Sequence, residues 1–259
     1  MKILLMNGSP RKGETLKKLE ILSSIFEFGG YSCEILNIGD YNIQFCKGCY
    51  QCFLKGDDQC KLEDDVSLLW SKVEDCDGLV IASPVYALGV SGTLKNFVDR
   101  IAHHAHRPTI YNKPAAIIST TAGMGINDVI KQLKWIELLG FNVVAKKGFM
   151  KYPNKDDTEE IESAQYLNLI SVAEKMDNSI KRQRANPSLI RVIQFNALKI
   201  NAMIAPDVYR ADYHFYKDRE FFVETKVGVV KRILGKMFYN IGTWNLKTKI
   251  LFDNGIANS

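Results

Sequence analysis

The sequence predicts an α/β fold: a five-stranded parallel sheet with helices on both faces, followed by a mainly helical extension. Three observations carry this reading. Five short apolar runs occur at Ile3–Met6, Ser32–Asn37, Leu79–Ala82, Ala115–Ser119 and Asn142–Lys146. Amphipathic patterns separate them, at Thr15–Phe28, Asp64–Val73, Gly92–His103, Asn127–Leu139 and Thr158–Lys175. Such alternation gives a parallel sheet buried on both sides. From about Lys181 the alternation stops, which divides the chain into residues 1–180 and 181–259.

The first strand runs into Asn7-Gly8-Ser9-Pro10-Arg11-Lys12-Gly13, a loop of turn formers and cations. A helix follows. A buried strand, a small-residue loop and a helix start aim backbone N–H groups and the positive helix end at one place, which makes an anion site. The loop misses the triphosphate pattern G-x4-G-K-[ST] because Glu14 stands where the lysine is needed. The dinucleotide pattern G-x-G-x-x-G is absent as well. Ser9, Arg11 and Thr15 supply hydroxyls and a cation, chemistry that suits a terminal phosphomonoester such as that of FMN. A plain βα connection is the alternative.

Between the second and third strands lies a cysteine-rich loop, residues 46–60. Cys46, Cys49 and Cys52 stand at i, i+3 and i+6, and Cys60 follows after seven residues. Three thiols at that spacing can curl around one centre, and a fourth can close it. The first three spacings match a bacterial ferredoxin run, but Lys61 stands where that run has proline. Zinc accepts four thiolates, usually from two separated pairs. An iron–sulfur cluster, zinc and thiols without metal all stay open on spacing alone. Cys33 and Cys76 stand apart and read as small packing residues.

Two further strand ends carry ring-binding features. After the third strand, Pro84 forces a turn, and Val85, Tyr86, Ala87, Leu88 and Gly89 follow before a helix near Gly92. A flat heterocycle can lie along this loop, held by main chain and walled by Tyr86 and Leu88. After the fourth strand come Thr120, Thr121, Ala122 and Gly123, small enough for close approach to a ring edge. In the helix that follows, Val129, Leu133 and Ile136 form one stripe. Ligands of parallel sheets sit beyond the carboxyl ends of the strands, so three loops converge on one crevice.

Composition sets limits. The chain has 259 residues, 46% hydrophobic and 24% charged, with a net charge of +5. That charge is too small to argue for nucleic acid. No apolar stretch approaches the roughly 18 residues of a membrane span, and the run after Met1-Lys2 is shorter than a signal-peptide core. Six cysteines without a signal point to a reducing, cytoplasmic setting. His103, His104 and His106 read as helix-end surface residues, since neighbouring side chains on a helix diverge.

In the last third, Lys181 to Arg184 is basic, and Leu189 to Ile204 reads as an amphipathic helix ended by Pro206. Aromatics then crowd in, from Tyr209 to Trp244, with an excess of lysine and arginine. Their density suits a buried interface, a flavin cover or a substrate pocket. The cations and aromatics do not separate onto one long helix face, which argues against membrane-surface binding.

Taken together, Gly8-Ser9-Pro10-Arg11, Ser83-Pro84-Val85-Tyr86, the run Ser91 to Arg100 and Thr120 to Gly123 resemble the flavodoxin-like NAD(P)H-dependent FMN reductases, most closely the iron–sulfur flavoprotein branch. The resemblance implies a flavodoxin-like sheet of order 2-1-3-4-5, non-covalent FMN, and a homodimer or homotetramer. By position it implies that Ser9, Arg11, Gly13, Thr15 and Leu16 hold the FMN phosphate. Pro84 to Gly89 would border the ring on one side, and Thr120, Thr121 and Gly123 on the other. Cys46, Cys49, Cys52 and Cys60 would hold a [4Fe-4S] cluster. The family usually has Asn-Thr where this chain has Glu14-Thr15. The activity implied is electron transfer from NAD(P)H or reduced ferredoxin to a small-molecule acceptor. A carrier that exchanges electrons with ferredoxin, without an organic substrate of its own, is the alternative.

Overall fold

The computed structural model describes residues 1–152, 156–182 and 186–256, with side chains as far as Leu246. Gln183 and Arg184 of the basic run lie outside the described residues. The chain forms two compact units. One comprises Met1–Lys47, Leu62–Ala105 and Ile110–Gln183; the other comprises Gly48–Lys61, His106–Thr109 and Arg184–Ser259.

The first unit is built on strands β1 (Lys2–Asn7), β2 (Ser32–Asn37), β3 (Gly78–Pro84), β4 (Pro114–Thr121) and β5 (Asn142–Met150). All pair in parallel, in the order β2-β1-β3-β4-β5. Alternate residues face opposite sides. Leu4, Met6, Leu79, Ile81, Ala115 and Ile117 pack under helices Val66–Asp75 and Gly92–Arg100. Ile3, Leu5, Val80, Ala82, Ala116 and Ile118 pack under helices Glu14–Phe28 and Glu159–Arg182. Burial on both faces explains why these strands read as continuous apolar runs.

Several boundaries differ from expectation. β5 continues past Lys146 to Met150. The helix expected to reach His103 ends at Arg100 and passes into a short 3-10 turn, Ala102–Ala105. The helix expected over 127–139 is two pieces, Ile126–Leu133 and Ile136–Leu139. Bonds from Glu137 N to Lys134 O (3.1 Å) and from Leu138 N to Trp135 O (2.8 Å) tighten the join. Val129, Leu133 and Ile136 are nonetheless all buried.

His103 is not a surface residue. It is buried against His104 (ring centroids 4.1 Å), which stacks on Trp70 at 3.9 Å. Cys76 is fully buried, and burial pushes its thiol pKa up to about 11. Cys33 is partly buried, as packing residues are.

In the second unit, helix Leu189–Ile204 has the bounds expected and is capped by the Ser188 hydroxyl, which accepts from Arg191 N at 3.3 Å. Phe195, Tyr216, Phe221 and Phe222 form its core, with ring centroids 5.2–5.9 Å from Phe195. Arg107 and Asp212 are a buried ion pair, and His106 Nδ1 lies 3.1 Å from Asp212 Oδ2. Val230, Ile233, Met237, Ile241 and Trp244 are all exposed along the last helix, Val229–Ile256, while Tyr239 lines a groove together with Arg232 and Lys236.

Candidate functional site

The carboxyl ends of β1, β3 and β4 enclose a cavity of about 320 Å³, within the roughly 300–1,000 Å³ of small-molecule sites. Asn7 supports its β1 side from below. That buried side chain donates from Nδ2 to Asn37 Oδ1 (2.9 Å) and accepts from Ser9 N (3.1 Å). Gly8 N donates to Ala82 O at 2.8 Å, and Gly8 O accepts from the Ser91 hydroxyl. A Cβ on Gly8 would meet Leu94 at 2.6 Å, so only glycine lets the loop lie this close. Ser83 Oγ in turn accepts from Ser91 N at 3.1 Å, which ties the first and third strand-end loops together.

Ser9 and Thr15 are both buried at the mouth of helix Glu14–Phe28. Gly13 is the N-cap and has no side chain to accept from the first turn. The free N–H groups of a 15-residue helix therefore meet two hydroxyls and Arg11 at one point. Glu14, the departure from the family pattern, pairs with Lys17 at 2.9 Å.

The cavity brings together Ser9, Arg11, Gly13, Thr15, Pro84, Val85, Tyr86, Thr120 and Thr121. It does not include Leu16, Ala87, Leu88, Gly89 or Gly123. Leu16 is buried and does not line the cavity. Ala87 and Leu88 turn the loop, with φ of 47° and 60°, between Tyr86 and Gly89, whose N–H and C=O groups pair at 2.9 Å in both directions. Left-handed backbone at two successive non-glycine residues is strained. It leaves Tyr86 and Leu88 half exposed beside the opening. Gly123 N donates to Thr121 Oγ1 at 3.0 Å and shapes the β4 loop.

Sequence reasoning missed Asn7, Lys18, Phe149, Lys151 and Tyr152. Lys18 is buried, lies 5.6 Å over the Phe149 ring, and donates to Gln165. Burial lowers its pKa, against the opposing pull of Glu14 and Asp157. Its place four residues after Glu14, on the same helix face, was the available signal.

The cysteine segment bends at two left-handed residues. Gly48 (φ 62°) and Tyr50 (φ 59°) are left-handed and lead into the helical turn Gln51–Leu54. Cys46 and Cys49 are exposed; Cys52 and Cys60 are half-buried. Arg107 donates to the carbonyls of Cys52 (2.6 Å) and Phe53 (3.2 Å) and to Asp57 Oδ1 (2.7 Å). Four thiolates are chemically a donor set for a metal or cluster, but among the described residues their sulfurs are not gathered into one ligand group. The loop and hydroxyls around Ser9 have the chemistry that suits a phosphomonoester.

A parallel 2-1-3-4-5 sheet with an anion loop after its first strand and ring-sized space at the next two strand ends defines the flavodoxin-like class. The profile of the NADPH-dependent FMN reductases matches residues 1–152, and the chain belongs to that family. It is similar to an iron–sulfur flavoprotein of Archaeoglobus fulgidus, at 32% identity over 231 residues, covering 85% of this chain and 100% of that one. An iron–sulfur flavoprotein of Methanosarcina thermophila is 28% identical over 169 residues, covering 61% of this chain and 86% of the relative. Among solved structures, RosB with a bound 8-demethyl-8-formylriboflavin-5'-phosphate intermediate superposes with a TM-score of 0.57 at 14% identity, covering 88% of this chain and 92% of RosB. That likeness speaks to the fold.

Proposed function

We propose that this chain is an FMN oxidoreductase that takes electrons from NAD(P)H or from a low-potential donor such as reduced ferredoxin and passes them to a small-molecule acceptor. Residues 1–180 form the FMN-binding domain and 181–259 the extension. The observation that carries the reading is the convergence of Ser9, Thr15 and Thr120 with the uncapped helix N-terminus in one cavity.

Bound FMN supplies redox chemistry at its ring, in two-electron or one-electron steps. The protein's own groups do the rest. Ser9, Arg11, Thr15 and the N–H groups from Gly13 to Leu16 hold the phosphate, with Lys18 as a buried countercharge. Pro84 to Gly89 border the ring with main chain and with Tyr86, and Thr120, Thr121 and Gly123 border its other side. Phe149 and Tyr152 exclude water from the remaining wall. No side chain needs to carry a proton for this chemistry.

Cys46, Cys49, Cys52 and Cys60 hold a [4Fe-4S] cluster in this reading, supported by their spacing, by the curl at Gly48 and Tyr50, and by the names of the two archaeal relatives. The setting is the reducing cytoplasm, and the working form a homodimer or homotetramer.

Similarity over the full length of a protein named an iron–sulfur flavoprotein favours one other reading: a carrier that exchanges electrons with ferredoxin and has no organic substrate. Anaerobic reduction separates the two. Rapid bleaching of the flavin by NADH or NADPH supports the reductase; bleaching by reduced ferredoxin alone supports the carrier.

A further inference from the structure

Helix Val229–Ile256 has two contrasting faces. Toward helix Leu189–Ile204 it presents glycines: a Cβ at Gly235 would meet Val192 Cγ1 at 2.6 Å, and one at Gly242 would meet Ile200 Cδ1 at 2.5 Å. Residues seven apart share a face, since each residue turns the helix by about 100°. The opposite face carries Val230, Ile233, Met237, Ile241 and Trp244, spaced 3, 4, 4 and 3 residues apart, with Leu234 and Phe238 beside them. All seven are exposed, from 40% at Phe238 to 70% at Val230. A continuous apolar stripe of this size marks an interaction surface.

The charge of the segment says what covers it. Between Glu224 and Asp253 there are six lysines and arginines and no carboxylate. At about 100° per residue, Lys231 and Lys236 fall at the two edges of the stripe, on the Phe238 and Ile233 sides, and Arg232 falls behind it. Lys231 Nζ donates to Pro187 O at 2.7 Å, and Arg232 has Glu220 at 3.8 Å. We propose that this helix docks the protein on an anionic lipid surface, lying in the headgroup plane with the stripe inserted. Apolar and aromatic residues on one face flanked by cations are what such a surface recognises. A second copy of the chain is the other occupant an apolar stripe admits. Paired helices place opposite charges beside the seam; two copies of this one would bring cations together with no acidic partner on the helix. No helix among the described residues is long and apolar enough to cross a membrane, and a one-sided stripe suits lying in the interface.

The test is sedimentation of the full chain with phosphatidylglycerol–phosphatidylcholine vesicles against pure phosphatidylcholine vesicles. The proposal expects binding to the anionic vesicles at least about tenfold tighter, weakened by salt, with a blue shift of Trp244 emission that W244F removes. I233D/I241D changes exposed residues and is expected to abolish binding while FMN uptake and far-ultraviolet dichroism stay unchanged. K226E/K236E keeps the stripe and is expected to lose the preference for anionic lipid. Equal binding to both vesicles, no binding, or binding untouched by I233D/I241D overturns the proposal. So does a dimer that I233D/I241D splits in sedimentation equilibrium, without any vesicle binding; the occupant is then a second copy.

Discussion

Thr15 Oγ1 and Thr120 Oγ1 lie 2.7 Å apart, both buried, and join the first turn of helix Glu14–Phe28 to the end of β4. One hydroxyl of such a pair donates, and the other keeps its proton for a third group. The pair thus ties the helix-start side of the cavity to its β4 side, on the proposed reading the phosphate side and the ring side, and leaves a donor to spare. T15V removes one of the two hydroxyls and the bond between them. Loss of a hydroxyl against a charged phosphate costs about 1.5–3 kcal/mol, roughly ten- to a hundredfold in affinity. Fluorescence titration of the apoprotein is expected to show that loss for FMN and little change for riboflavin, which lacks the phosphate.

Lys18 is expected to trade stability for binding. Its pKa is lowered by burial, so the fold is penalised at neutral pH by a charged group held from water. For a lysine with a lowered folded pKa the penalty is present below that pKa and fades as pH rises toward the ordinary 10.5. K18M should raise the thermal midpoint of the apoprotein at neutral pH and remove this alkaline dependence. It should also weaken FMN more than riboflavin. Thermal unfolding across pH and paired ligand titrations check both halves.

The Arg107–Asp212 pair holds the cysteine segment. Both groups are buried, and the same guanidinium caps the carbonyls of Cys52 and Phe53. Removing one partner of a buried pair leaves the other uncompensated and costs about 3–5 kcal/mol. D212A is expected to lower denaturant stability by that order. R107M is expected to speed amide exchange across residues 50–57 and to reduce bound iron, while FMN content is kept.

Arg100 and Asp64 make a second buried pair, which also fixes Gln44: its N–H reaches Asp64 Oδ2 at 2.9 Å and its carbonyl accepts from Arg100 at 2.9 Å. Desolvation pushes the Asp64 pKa up, but the bonds from Arg100, Gln44 and Val66 together hold it below the usual 3.8. A depressed carboxylate stabilises the fold above its unfolded pKa, and that contribution is lost as pH falls through the folded one. Acid unfolding monitored below pH 3.8 should therefore be shallower in D64N, which should also be less stable at neutral pH.

Much of this was legible before any coordinates. Strand Ser32–Asn37 and helix Leu189–Ile204 fall where the apolar pattern and, for the helix, the flanking Pro187 and Pro206 place them. Ser9, Thr15 and Thr120 meet because parallel sheets gather their strand ends. Other features depend on neighbours far along the chain. Lys18 is buried by Phe149 and Gln165, which its residue type does not announce. Phe149 lies in the part of β5 past Lys146. The apolar stripe around Met237 lies on a helix that contains Gly235 and Gly242, poor helix formers whose fit shows only against helix Leu189–Ile204.

The central claim is an FMN site joined to an iron–sulfur centre on one chain. Anaerobic purification followed by a visible spectrum and an iron assay tests it most directly. Flavin peaks with a broad shoulder and about four irons per chain are expected, as a [4Fe-4S] cluster requires. A colourless protein that cannot be reconstituted with FMN would contradict it, and flavin without iron would contradict its cysteine half.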